Sequence, residues 1–474
     1  MNSYIHDIND NNKKDLLLFT LFSMVLFLVE YQFLIQEENI YTTFFQIQLL
    51  VVYFTILWKS YKKFGFFSLF SLVLIGFFVF SVGGVLHFVV SGESMLKLEE
   101  IGYGSFYFSN VIIQESLLVY TVFFVVLYSS YSFFYKKKYS NPPVALKTNM
   151  YFLKIGKWLM WAFLAIEIYK GYLFFTSFSL SRVLIYLNGN TINPIPSWVR
   201  FLATFFVIGY YFIVASKPSK EDFNKYSILY FALLIPDILV GNRGMLGMFI
   251  MFYFWYKNRF YGIKISKQAL AVFGVSLILF FQAVEVLRNG ISLSSATFSP
   301  TSFLKGQAVS FYLVPLYIQY SSSIMYYNYP FVLYNLLSGI TGWGYSGQSI
   351  EVLQHNSGIG HQLMYAINPD VYLSGFSLGT SSVSELYDLG WIGVVVGAFF
   401  LGVMLMYSEK IISTKKLGLF LSYNLVANFI ISARGSYFPG AYGIIKDIIF
   451  YFFVLFIFSL IINNNEKKIS NVGR

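Results

Sequence analysis

A chain of 474 residues that is 57% hydrophobic, 21% aromatic and only 12% charged has too little polar surface to fold in water as ordinary soluble domains. Its net charge of +11 would point to nucleic acid only if the basic residues gathered on one water-facing surface, and here they occupy short runs between apolar segments. The lack of cysteine removes disulfides, thiolate nucleophiles and cysteine-ligated metals.

A membrane-crossing helix needs about 20 mostly apolar residues, and lipid permits no other backbone except a closed barrel, which continuous apolar runs exclude. Twelve candidate spans follow in chain order: 16–35, 41–58, 66–90, 110–134, 153–175, 197–215, 226–241, 244–256, 268–287, 389–407, 417–433 and 443–462. The first follows Lys13 and Lys14, is too long for a signal-peptide core and is followed by no small-x-small cleavage site, so it reads as a retained anchor. With both termini cytoplasmic, 24 of the 33 basic residues fall on the inner side. Five of the seven arginines do not: Arg182, Arg200, Arg243, Arg288 and Arg434 all fall on the outer side, where topology gives them no reason to be. Within the spans, Glu167 with Lys170 and Glu285 with Arg288 are three apart and can neutralise each other, while Lys446 and Asp447 read as interfacial.

The chain therefore divides into spans one to nine (1–287), an outer loop (288–388), and spans ten to twelve with a cytoplasmic tail (389–474). A loop of that length is usually functional or has structure of its own. It carries eleven tyrosines, and 310–320 and 329–337 are too apolar for solvated coil, so short helices at the outer interface are expected. GWGYSG (342–347) matches a dinucleotide-binding pattern only by letters, since no strand precedes it. His355 and His361 are six apart with no carboxylate at ligand spacing, which suits ordinary loop histidines better than a metal pair and leaves a base or hydrogen-bonding role open. No metal site and no cofactor is expected.

Arg243 in GNRG and Arg434 in SARGSYFPG are each followed by glycine, which lets a ligand approach the backbone closely. A guanidinium offers a fork of donors matched to phosphate oxygens; the plainer alternative is snorkelling to lipid headgroups. GTSSVSELYDLG (379–390) sets Glu385 and Asp388 three apart just before span ten. If the segment begins that helix, both acids share its outer end, with Ser381, Ser382 or Ser384 as N-cap. Acids there favour the helix macrodipole; alternatively, one of them faces the arginines as a general base.

GFSLGTSSVSELYDLGWIGVVVGAFFLG (375–402), with its Gly-Thr-Ser stretch, Glu-Leu-Tyr and Gly-x-x-Gly leading into a late helix, resembles the signature of Wzy-type O-antigen polysaccharide polymerases. The arginine-glycine turns at 243 and 434, the twelve-span layout and the long outer loop are similar too. The resemblance implies an all-α polytopic protein of the bacterial inner membrane, similar in fold to membrane glycosyltransferases that use polyprenyl donors. It would join undecaprenyl-diphosphate-linked repeat units on the periplasmic face. Arg243, Arg434 and Glu385 match the family's functional positions, and Arg288, His355 and His361 follow as substrate-binding candidates. Asp388 and Trp343 join them, the latter as a ring to stack on sugar. The partners implied are the lipid-linked glycan donor and acceptor and membrane lipid, with room for a chain-length regulator protein, and no nucleic acid. A lipid-linked oligosaccharide flippase and an O-antigen ligase compete with this reading. Flippases typically have short, even loops, and a ligase would share the leaving group and differ by the motif. A structural or sensory protein would have no use for paired carboxylates and five outer arginines.

Overall fold

The computed structural model describes residues 39–100, 104–135, 147–178, 195–240, 243–263, 300–334, 336–337, 347–355, 358–438 and 440–472, with scattered positions between 266 and 283. Among these the chain is helical apart from one hairpin. Helix α1 (Asn39–Phe64) is followed by α2 (Leu69–Phe77), capped by the Ser68 hydroxyl, which accepts the N–H of Ser71. A single π-helical turn, Phe78–Val82, joins α2 to α3 (Gly83–Ser91). Strands β1 (Lys97–Glu100) and β2 (Gly104–Tyr107) pair antiparallel, with Lys97 opposite Tyr107; this hairpin was not anticipated. Then come α4 (Asn110–Phe134), α5 (Met150–Phe178), α6 (Ser197–Ala215), α7 (Lys220–Val240) and α8 (Arg243–Tyr261). The described part of the expected outer loop is a chain of short helices, as its apolar stretches require: α9 (Pro300–Gln307), α10 (Val309–Tyr320), α11 (Ile350–His355), α12 (Ile359–Ile367), α13 (Pro369–Leu373) and α14 (Ser382–Tyr387). The last elements are α15 (Gly390–Thr414), α16 (Lys416–Phe420), α17 (Ser422–Ile431), a 3-10 turn (Ser432–Arg434) and α18 (Ala441–Val472).

Six stretches among the described residues are long and apolar enough to cross a membrane: Thr42–Phe64, Leu69–Ser91, Asn110–Phe134, Ser197–Ala215, Gly390–Thr414 and Ala441–Leu460. They coincide with six of the twelve expected spans. Helix α5 is long enough but carries Lys154, Lys157, Glu167 and Lys170. Span 16–35 and half of 268–287 lie outside the described residues. The expected span 417–433 is corrected: it breaks into α16, α17 and the 3-10 turn. The Ser422 and Ser432 hydroxyls take the carbonyls of Leu419 and Phe429, three residues back, where the regular helix gives way. Only 17% of the Ala441–Leu460 window is buried, and Ile449, Phe452, Phe453 and Phe456 are exposed, an apolar surface that hydrocarbon accepts and water does not.

Contacts gather the chain into two units, the first from the described residues within 1–140, 265–407 and 428–439, the second from those within 141–264, 408–427 and 440–474. In the first, α1 runs along α4, α9 lies on α3, and α10 rests on α4 and the π turn. Tyr120 of α4 donates to the Ser310 carbonyl at 3.1 Å and stacks on Phe311 with ring centroids 5.0 Å apart. Lys305 of α9 pairs with Glu93, just past α3. In the second unit α5 and α6 pack side by side, and aromatic rings fill the core. Tyr210 stacks on Tyr230 and Phe223 on Tyr256, both with centroids 4.3 Å apart, and the buried hydroxyls find partners: Tyr210 with Ser227 at 3.1 Å, Tyr256 with the Val214 carbonyl at 2.9 Å.

The Glu167–Lys170 pair forms as expected. Asp447 is buried in the protein: it is 5% exposed and accepts a hydrogen bond from the Asn424 amide, whose oxygen accepts the Tyr211 hydroxyl at 3.3 Å. Asn424→Leu should therefore destabilise the protein by about 1–3 kcal/mol, because a buried carboxyl loses its donor. Thermal unfolding in detergent should show that loss largely recovered in the Asn424→Leu/Asp447→Leu double variant; an unchanged single variant would mean the bond carries nothing.

Candidate functional site

The motif at 379–390 forms a site of its own rather than the first turn of a membrane helix. Ser381 caps α14, its hydroxyl accepting the Ser384 N–H at 3.1 Å while the Ser384 hydroxyl accepts the Ser381 N–H at 3.3 Å. Helix α14 ends at Asp388, and Gly390 then adopts φ +64°, a left-handed conformation that reorients the chain before α15. The expectation that both acids start the tenth helix is corrected accordingly. Glu385 lies within a six-residue helix and Asp388 at its C-cap, on a block distinct from α15.

Glu385 has no exposed surface. Its Oε1 accepts the Thr380 hydroxyl at 2.9 Å, its Oε2 accepts the Tyr437 N–H at 2.7 Å, and the Ser436 hydroxyl is a further donor. Burial pushes its pKa up to about 7, even though these three donors favour the ionised form; the Asp388 charge adds to the rise. Asp388 is half-buried and differently furnished, accepting the Tyr317 hydroxyl at 2.7 Å, the Tyr327 hydroxyl at 2.8 Å and the Phe331 N–H at 2.9 Å. Burial and then the Asp388 carboxylate raise both phenols well above their ordinary range. Between the two acids, Tyr387 donates to Glu115 of α4.

Arg434 ends the 3-10 turn that packs on both α2 and α14. Its side chain is exposed, donates to Gln307 at 2.7 Å and lies with its guanidinium carbon 5.6 Å from the Phe80 ring centroid. Three residues on, Tyr437 is held at both ends, its N–H by Glu385 and its hydroxyl by the Gly397 carbonyl at 2.8 Å. The arginine and the buried acid thus belong to one assembly.

Helix α12 backs this assembly. A Cβ at Gly360 would stand 2.0 Å from the Leu378 carbonyl oxygen and 2.2 Å from that of Gly379, so only glycine lets the helix lie against the segment that delivers Thr380. His361, the next residue, sits 3.1 Å from the Tyr372 hydroxyl; burial pushes its pKa down to about 4, leaving it neutral near pH 7. The Tyr334 phenol is pushed up to about 12, by burial first and then by Tyr329 and Glu385. His355 ends α11 and is exposed. Tyr326, Asn328, Tyr329 and Phe331 line a small cavity on the segment that Asp388 holds.

Of the residues expected from sequence, Glu385, Asp388, Arg434 and His361 fall in the first unit around this assembly. Arg243 opens α8 in the second unit. Arg288 and Trp343, like Arg182, lie outside the described residues. Thr380, Ser436, Tyr437 and Gln307 were not anticipated; the only sequence hint was a run of small hydroxyl residues ahead of Glu385. Among the described residues no group of three or more His, Asp or Glu is placed to hold a metal ion. Chemically, the assembly joins a carboxyl that changes ionisation near neutrality to an exposed, permanently charged guanidinium.

A model of the family described as O-antigen polysaccharide polymerase Wzy matches residues 16–466 of the chain. No curated protein matches the chain, and no solved structure does.

The Asp388 clasp yields its own test. Asp388→Ala leaves two phenols and an amide without their acceptor and should cost about 2–4 kcal/mol, since hydrogen bonds to charged groups are worth about 1.5–3 kcal/mol each and solvent recovers part of the loss. Limited proteolysis should then cut within 321–331 at a protease concentration that spares the parent.

Proposed function

The chain belongs to the O-antigen polysaccharide polymerase Wzy family, and from that premise we propose how its residues divide the work. It is an O-antigen polymerase of the inner membrane, a glycosyltransferase-type enzyme that joins lipid-linked oligosaccharide repeat units. In the proposed reaction a hydroxyl of one glycan displaces the undecaprenyl diphosphate from the anomeric carbon of another, and negative charge grows on the departing diphosphate. Arg434 binds that diphosphate, at a membrane interface where the lowered dielectric strengthens the attraction, and no metal takes part. Arg243 is a second cation for the same group, assigned on its arginine-glycine motif and the family resemblance alone. Glu385 is the general base. The observation that carries this reading is the hydrogen bond from the Tyr437 N–H to Glu385, which joins the arginine's loop to a carboxyl of pKa about 7, the value a base working near neutral pH requires.

Around this centre we infer a many-span layout, with both termini cytoplasmic and 288–388 on the periplasmic side. Tyrosines of that loop, with Trp343, stack on sugar faces, and His355, His361, Asp388 and Arg288 line the substrate's path. A chain-length regulator protein is the partner this placement leaves room for. The apolar belts and the inner-side excess of basic residues support the layout; the flippase and ligase readings have no comparable support.

A base must be ionised to act, so the fraction of active enzyme falls about tenfold per pH unit below about 7 and levels off above it. Chain extension by the purified protein should follow that curve. Glu385→Gln should slow it about 10²–10⁴-fold. In a deletion strain complemented with Arg434→Ala or Arg243→Ala, the lipopolysaccharide gel should show single repeats on the core, and Arg434→Lys should not restore long chains, because an ammonium lacks the planar fork. Normal long-chain ladders from Glu385→Gln would remove the base, and from both arginine variants the clamp.

A further inference from the structure

The Glu385 carboxyl has no exposed surface, so an incoming sugar hydroxyl cannot touch it as the structure stands. Its proton must come through one of its hydrogen-bond donors. The Tyr437 N–H has no lone pair with which to receive a proton, and Ser436 is itself only 5% exposed. Thr380 differs from both. Its hydroxyl donates to Oε1 at 2.9 Å, the residue is half-buried, and a hydroxyl keeps two lone pairs for an outside donor. Beside it Gly379 is exposed and faces open space, with no atom within 4 Å of where a Cβ would stand. The chain here is also held on both sides: Ser381 is locked in the capping box, and α12 presses against the 378 and 379 carbonyls through Gly360.

We propose that Thr380 is a catalytic proton relay, receiving the proton of the attacking sugar hydroxyl on its oxygen while passing its own hydroxyl proton to Glu385. The inference rests on Glu385 as the base. As the acceptor oxygen bonds to the anomeric carbon, its O–H bond breaks and that proton moves to Thr380 Oγ1. The former Thr380 proton moves to Glu385 Oε1. The bond between the anomeric carbon and the diphosphate oxygen breaks, and its electron pair leaves with the diphosphate. The two proton hops run in reverse, out to water, to reset the carboxylate. Threonine suits the role because the hydroxyl exchanges one proton for another and carries no charge between turnovers.

The test uses the full-length protein in lipid nanodiscs, with a synthetic lipid-diphosphate-linked repeat unit as donor and acceptor, and measures chain-extension rate from pH 5 to 9. Thr380→Val keeps the shape and removes the hydroxyl; it should be slower by about 10²-fold at every pH, including 9, while still unfolding in one cooperative transition. Thr380→Ser should recover to within about tenfold of the parent. In mixed light and heavy water, a plot of rate against deuterium fraction should curve for the parent, as two moving protons require, and straighten in Thr380→Val. If Thr380→Val regains the parent rate at pH 9, the hydroxyl only tunes the acid and the relay is wrong while the base survives. If Thr380→Val is slow because it misfolds, Thr380→Ser with a linear isotope plot still overturns the relay. Glu385→Gln at the parent rate would instead remove the base on which the relay depends.

Discussion

Taking a carboxylate wholly out of water costs several kcal/mol unless donors replace the lost hydration, and part of the first unit is organised around that requirement at Glu385. The donors come from two places in the chain, Thr380 just before α14 and Ser436 with Tyr437 in the loop after the 3-10 turn, so meeting the need of one acid fixes where two segments lie. Arg434 profits from this. It ends a three-residue turn, and the bond three residues downstream, with the Gly397 anchor beyond it, ties the chain that leaves that turn to the acid.

Two acids three residues apart have been given opposite environments, and this separates their roles. Asp388 accepts three hydrogen bonds, remains half-buried and gathers Tyr317, Tyr327 and Phe331. Glu385 also accepts three, yet its complete burial outweighs them and its proton is held until near neutrality. A buried acid that holds its proton until near neutrality is the candidate for proton transfer. His361 fits the same logic from the other direction, because burial leaves it a neutral ring bonded to Tyr372.

Apolar runs announced six helices able to cross a membrane, because hydrocarbon selects on composition alone and composition is written in any window of twenty residues. The break inside 417–433 was hidden for the same reason. Two serines barely change the hydropathy of an apolar stretch, yet each hydroxyl competes for a backbone carbonyl. The 97–107 hairpin was equally hidden, as a short strand pair leaves no long periodic trace. The spacing of Glu385 and Asp388 marked a site, but which acid would be buried depended on Tyr437, 52 residues further on, and on a glycine turn at 390 that split the helix. Arg434 was legible through its unexplained outer position, and its partner Gln307, 127 residues away, was not.

The π-helical turn at Phe78–Val82 holds one residue more than an α-helix would need to cover the same rise. Its extra residue sets the rotational phase between α2 and α3, at the turn where Phe80 meets the guanidinium of Arg434. Loss of any single residue there would restore regular winding and swing α3 by about 100° about its axis relative to α2, with hydropathy and length almost unaltered. Homologues that differ by one residue in this stretch would therefore be indistinguishable as membrane spans, and yet would present a different side chain to the arginine.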